Sequence, residues 1–171
     1  MGIPALLALS GFLLPIQAGA SSAVLKPFTT NGCTGFPDGT TRSPTLWRHC
    51  CVHHDLAFWA GGCRSFRDEA DLELKRCVAG TDSRLTALIM YIGVRIGAHS
   101  PIKLKGERWN NGWQDGRSDR QPLSVADFQS ISETLLSNLP ADLSPAEASA
   151  FLSALQKQIR QPPACPETAE E

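Results

Sequence analysis

Cys50-Cys51-Val52-His53-His54-Asp55 is the stretch on which the reading of this chain turns. It sets a histidine and a carboxylate side by side just after a cysteine pair. Neighbouring residues on a helix point about 100° apart, so His54 and Asp55 cannot share one task. They can line adjacent walls of one cavity, as a general base beside a metal site requires. Trp47, Cys50, Cys51, His54 and Phe58 share one face of such a helix, with His54 near its middle and Asp55 at its edge. Trp59 falls on the opposite face. Ser43-Pro44 reads as an N-cap followed by proline at the first helical position. Gly61-Gly62 ends the helix after Ala60.

Outward from that helix, the chain reads as mostly helical. A second helix is predicted from Ser65 to Val78, with Ser65 and Asp68 as a capping box and Gly80 closing it. Its apolar face is Phe66, Ala70, Leu74, Cys77 and Val78, with Asp71 at the margin. Short links and facing apolar stripes predict an antiparallel pair. A third helix begins at Asp82 or Ser83 and reaches Arg95, before Gly97. Residues 98–122 read as irregular around Trp109 and Trp113, whose roles as lid, interfacial anchor or packing stay open. Stripes at Val125, Phe128, Ile131, Leu135 and at Ala148, Phe151, Leu152, Leu155 then predict a helical hairpin turning at Pro140-Ala141-Asp142. The hairpin is expected to act as a cover without chemistry, packing over Trp59.

The 171 residues allow one domain with a real core, or one domain plus a small appendage, and the net charge of −1 argues against nucleic acid as the main partner. The first twenty residues are apolar and uncharged and end in Ala18-Gly19-Ala20, the pattern of a cleaved export signal; an uncleaved anchor or a buried helix are the alternatives. All six cysteines follow this segment. In an exported chain they favour three disulfides, with about fifteen pairings open in principle. The expected organisation is a signal over 1–20, a main domain over 21–122, the hairpin over 123–160 and a loose tail over 161–171. The expected localisation is secreted or periplasmic.

Three elements in order resemble the secreted phospholipase A2 superfamily. Asn31-Gly32-Cys33-Thr34-Gly35 is similar to the start of the family's calcium loop. The Cys-Cys-x-x-His-Asp helix follows, and Asp71 on the next helix precedes Cys77 by six positions. The resemblance covers roughly residues 31–78. It implies a mainly α, disulfide-linked antiparallel helix pair behind an irregular calcium loop, here with an added C-terminal hairpin. It also implies the bonds Cys33–Cys51 and Cys50–Cys77, which would leave Cys63 to Cys165. His54 would be the base and Asp71 the carboxylate that orients it. Asp55 with the carbonyls of Gly32, Thr34 and Phe36 would hold Ca2+.

Two departures stand out. The loop continues Phe36-Pro37-Asp38-Gly39-Thr40 where the family has closely spaced glycines, and Asp38 is a candidate compensating carboxylate. Phe58 stands where many members have a tyrosine that holds the orienting aspartate. Asp71 must therefore find Tyr91, water or a backbone N–H.

The chemistry implied is calcium-dependent hydrolysis of a phospholipid acyl ester. A neutral His54 would take a proton from water, and calcium would polarise the carbonyl with an N–H near Thr34 as second donor. The partner would be a phospholipid or lipid aggregate surface. No Gly-x-Ser-x-Gly elbow is present, and the mechanism needs no serine. Zinc at Cys50, Cys51, His53 and His54 is disfavoured, because one helix gives poor tetrahedral geometry and exported thiols oxidise. His53 points away and reads as a surface residue. The rival functions are a non-catalytic lipid- or protein-binding module on the same scaffold, and hydrolysis of a different acyl ester.

Overall fold

The protein is described here from a computed structural model, which places residues 24–81, 84–99, 108–114, 116–118, 121–160 and 165. The predicted signal over 1–20 and all of the tail except Cys165 lie outside the described residues. Those residues form five helices and no strand beyond one bridge between Leu25 and Trp113. The helices are α1 (Arg48–Ala60), α2 (Arg64–Thr81), α3 (Arg84–His99), α4 (Val125–Ser137) and α5 (Pro145–Arg160). No helix among the described residues is long and apolar enough to cross a membrane.

The start of α1 corrects the prediction from Ser43-Pro44. Ser43 and Thr40 instead exchange backbone hydrogen bonds of 2.9 and 3.2 Å in a turn. The Trp47 N–H donates to Asp38 O at 3.0 Å, and its indole Nε1 to Pro37 O at 2.6 Å. With that amide committed to the preceding loop, regular helix begins one residue later.

The end of α1 falls where expected and is closed by the tryptophan loop. Asn111 N–H, Gly112 N–H and Trp113 Nε1 donate to the carbonyls of Phe58, Trp59 and Ala60 at 3.3, 3.2 and 2.9 Å. Trp109 Nε1 donates to Gly62 O at 2.7 Å, and Asn110 Oδ1 accepts the Gly62 N–H at 2.8 Å. The loop thereby satisfies carbonyls that a helix end leaves unpaired. Packing and capping, of the three roles left open, is what these indoles do. Gly61, at φ 73°, admits this closure because a Cβ there would lie 1.8 Å from Asn110 Oδ1.

Helix α2 starts directly from Cys63, whose carbonyl accepts the Phe66 N–H at 2.9 Å. Ser65 is therefore inside the helix and caps nothing; its hydroxyl is buried without a hydrogen-bond partner among the described residues. Asp68 turns instead to Arg95 on α3. Gly80 does not end α2, which continues to Thr81, and α3 runs past Gly97 to His99.

Three disulfides are formed: Cys33–Cys51, Cys50–Cys77 and Cys63–Cys165. The second joins the start of α1 to the end of α2, so the two helices run antiparallel. Each such bond commonly contributes about 2–5 kcal/mol to a small domain. Three disulfides fit an extracellular or periplasmic protein.

Helix α1 lies between two cores. Cys50 and Cys51 pack with Leu74, Val78, Ala87 and Met90 of α2 and α3. On its other side, Val52, Leu56 and Trp59 pack with Ile131, Leu135 and Leu152 of the α4–α5 hairpin. Ser124 and Asp127 form a capping box at α4, and Ser144 and Glu147 exchange the same bonds at α5. The hairpin covers Trp59 as its stripes predict.

Candidate active site

The middle of α1 faces the middle of α2. His54 and Asp71 meet there at 2.8 Å, through Nε2 and Oδ1. A carboxylate only accepts, so Nε2 carries a proton and Nδ1 is left as the basic nitrogen. Nδ1 makes no hydrogen bond to a described residue. The His54 side chain keeps 10% of its exposure, whereas Asp71 is fully buried. Phe58 tilts against the imidazole at 4.3 Å between ring centroids, and Trp109 backs Phe58 edge-on at 5.1 Å. The ring is thus held by a bond at one nitrogen and by packing on its face.

The second partner of Asp71 is Arg95, whose Nη1 donates to Oδ2 at 3.2 Å while also pairing Asp68. Tyr91, the side chain expected in this role, points elsewhere: Lys75 Nζ sits over its ring at 5.1 Å. Arginine does here what a tyrosine hydroxyl would do, and adds charge. A fully buried carboxylate needs such a partner, because burying it unpaired is costly. The two carboxylates in turn hold the Arg95 guanidinium above its ordinary pKa, Asp68 most strongly and Asp71 next, against the opposing effect of burial.

Above His54 opens a cavity of about 400 Å³. Its apolar walls include Phe58, Leu74, Met90 and Val94. Gly93 and Gly97 also line it, so Gly97, which reads in the sequence as the end of α3, joins Gly93 in keeping this wall free of side chains. His54, Asp55 and the loop from Gly32 to Phe36 complete the lining.

That loop and Asp55 bring oxygen donors to one side of the cavity. Asp55 Oδ2 accepts the Thr30 hydroxyl at 2.7 Å, and Thr30 Oγ1 in turn accepts the Gly32 N–H at 3.1 Å. The carbonyls of Gly32, Thr34 and Phe36 accept no hydrogen bond from a described residue. A carboxylate with backbone carbonyls is a hard-oxygen set of the kind calcium takes, so the donors fit that ion. Asp38 is not among them: its Oδ1 accepts the Cys33 N–H at 2.7 Å and its Oδ2 the Arg48 guanidinium at 2.5 Å. The cluster of His49, Cys50 and Cys77 offers no thiolate, because both sulfurs are joined in a disulfide. His53 lies on the surface beside Glu147, at 3.3 Å.

One face of α3 is apolar and open to solvent. Leu85, Leu88, Ile89, Ile92 and Ile96 are 40–66% exposed and recur at helical spacing. Ile89 belongs both to this face and to the cavity wall, so the two surfaces are continuous.

No protein-family model matches this chain, and no curated protein or solved structure matches it.

Proposed function

We propose that this chain is a phospholipase A2-like hydrolase that cleaves an acyl ester of a phospholipid, using calcium and a water activated by His54. The observation that carries the reading is the His54–Asp71 hydrogen bond beneath an apolar cavity that also exposes Asp55 and the carbonyl-bearing loop. In this reading His54 Nδ1 takes a proton from the attacking water. Nε2–H stays on Asp71, whose charge stabilises the imidazolium as it forms. The Thr34 N–H, which donates to no described residue, would donate to the developing oxyanion. The proton then passes from Nδ1 to the departing alkoxide, which leaves as the alcohol beside the free fatty acid. Calcium, held by Asp55 and the carbonyls of Gly32, Thr34 and Phe36, would polarise the ester carbonyl.

The cavity supports an acyl substrate on size and lining. At about 400 Å³ it lies within the roughly 300–1,000 Å³ of ligand pockets. The exposed α3 face supports a lipid surface as partner, because apolar side chains at a cavity mouth gain by burial in lipid. Export fits the three disulfides and the apolar N-terminal segment.

The test is hydrolysis of mixed-micelle phospholipid with calcium and with a chelator. Wild type should release fatty acid only with calcium, and His54→Gln should lower turnover about 100- to 10,000-fold. Asp55→Asn should lose calcium affinity and activity together. A protein that binds lipid or calcium and hydrolyses no acyl ester would instead be a binding module on this scaffold.

A further inference from the structure

The loop from Gly32 to Phe36 is held in shape by an ion-pair cluster that reaches the C-terminal hairpin. Arg48 stands at its centre. Its Nη1 donates to Asp38 Oδ2 at 2.5 Å and to Asn31 O at 3.4 Å. Its Nε and Nη2 form a parallel pair of bonds, 3.0 and 2.9 Å, to both oxygens of Asp142 in the turn between α4 and α5. One guanidinium therefore spans two acidic groups that lie far apart in sequence.

Asp38 carries the effect into the loop. Its other oxygen accepts the Cys33 N–H at 2.7 Å. A peptide unit is planar and trans, so fixing that N–H aims the Gly32 carbonyl the opposite way. The Phe36 N–H, donating to Cys33 O at 3.2 Å, fixes the next peptide plane and hence the direction of the Thr34 N–H. The Cys33–Cys51 disulfide anchors the loop at one point but leaves these planes free to turn. Gly32 shows how close the cluster lies: a Cβ there would sit 2.4 Å from Arg48 Nη1 and 2.4 Å from Asp38 Oδ1. At φ 77° it also has the backbone that glycine adopts without strain.

We propose that Arg48 is a positioning residue that ties the hairpin turn, through Asp142, to the Gly32–Phe36 loop, through Asp38, and so fixes the peptide plane that presents the Gly32 carbonyl to the cavity, beside the Thr34 N–H plane that the Phe36 N–H holds. The role assigned to calcium rests on the function proposed above; the clamp itself is a property of the loop. It does the work that additional glycines do elsewhere, by holding the turn from outside. The α4–α5 hairpin thereby contributes to the site without supplying a group to it.

The test combines amide hydrogen exchange at Cys33 and Phe36 with calcium titration by calorimetry, on wild type, Arg48→Gln, Arg48→Lys, Asp38→Asn and Asp142→Asn. Arg76→Gln, which breaks an exposed pair with Glu69, serves as control. Arg48→Gln should speed exchange at Cys33 and weaken calcium binding about 10- to 100-fold. The sign is diagnostic, because removing a positive charge near a cation site would by itself tighten binding. Arg48→Lys should fall between, since an ammonium cannot bridge two carboxylates in a planar fork. Asp38→Asn keeps an acceptor for the Cys33 N–H and should loosen that amide less than Arg48→Gln does. Asp142→Asn should loosen the loop in the same direction as Arg48→Gln. Unchanged exchange at Cys33 in Arg48→Gln, or tighter calcium binding, overturns the proposal. If wild type binds no calcium the metal reading falls, and exchange at Cys33 alone decides the clamp.

Discussion

Replacing Asp71 by asparagine should damage the site through the wrong tautomer of His54, because Arg95 dictates how the new amide turns. In the parent, Asp71 accepts from His54 Nε2 at 2.8 Å and from Arg95 Nη1 at 3.2 Å. Asparagine has one acceptor and one donor group, and both neighbours now donate. Arg95 cannot give up its proton, so Oδ1 should turn to it and Nδ2 should face the imidazole. His54 must then accept at Nε2 and carry its proton on Nδ1, which leaves no base over the cavity. Turnover should fall about 100- to 10,000-fold, as for loss of a general base, with calcium still bound. Stability should fall by about 1.5 kcal/mol, the low end for a hydrogen bond to a charged group, because Arg95 keeps 29% of its exposure. That corresponds to roughly 3–6 °C in melting temperature for a chain of this size. The double variant Asp71→Asn, Arg95→Met frees the amide to turn its oxygen to His54, and should recover about tenfold or more of the lost rate. Arg95→Met alone should keep most activity. Nitrogen-15 spectra of the imidazole would report which ring nitrogen is protonated in each variant, independently of turnover. A proton still on Nε2 in Asp71→Asn, or a double variant no better than the single, would refute this reasoning.

Three further outcomes follow from other parts of the fold. Ile92→Asp with Ile96→Asp, at positions 47% and 65% exposed, should lower affinity for phospholipid vesicles about thirtyfold, at about 1 kcal/mol for each half-buried side chain, while hydrolysis of a monomeric short-chain substrate is kept; unchanged vesicle binding would exclude this face. Ile131→Ala, at a fully buried position packed in the core with Trp59, should cost about 2–5 kcal/mol, read by thermal unfolding, and a chain ending near Arg120 should not fold at all. The capping carboxylates of α4 and α5 should make the hairpin acid-labile. Burial raises the Asp127 pKa, but bonds from Arg117 and Ser124 lower it further, and bonds from Ser144 lower that of Glu147. Depressed folded values mean that their stabilisation is present at neutral pH and is lost as pH falls through them, below about 4. Trp59 fluorescence against pH should show this loss, and Asp127→Asn should show a smaller acid transition.

The sequence exposed the helices and the paired groups well, and the supports poorly. Helical phase placed His54 on the apolar face of α1 and Asp71 at the margin of that of α2, but their pairing, like the Cys50–Cys77 bond, was legible only through the family resemblance. The hairpin was legible from helical phase alone, since its stripes have one period and one buried face. Arg95 was missed as the partner of Asp71, although it is a charge in an otherwise apolar stretch and needed a counterion. Periodicity marks such a residue as anomalous but cannot name its partner 24 positions away. Gly97 reads as a terminator because helix interiors disfavour glycine. The competing gain, room for a cavity, exists only once α3 lies against the site.

The loop shows most clearly why local reading runs out. From sequence, Asp38 looks like a spare ligand, because an acidic residue beside a candidate metal loop has an obvious use. In the folded chain its two oxygens are taken by Cys33 and Arg48, and Arg48 is shared with Asp142, 94 positions beyond it. No window of residues contains that relation. The same charge thus changes role from ligand to strut, and what decides is the guanidinium between two carboxylates. An arginine held bidentate by Asp142 has a fixed direction as well as distance, so its remaining nitrogen can fix the Asp38 carboxylate that in turn holds the Cys33 peptide. The loop and the C-terminal hairpin are therefore joined in one arrangement: through Arg48, the hairpin turn at Asp142 supplies the far anchor for the carboxylate that holds the Cys33 N–H.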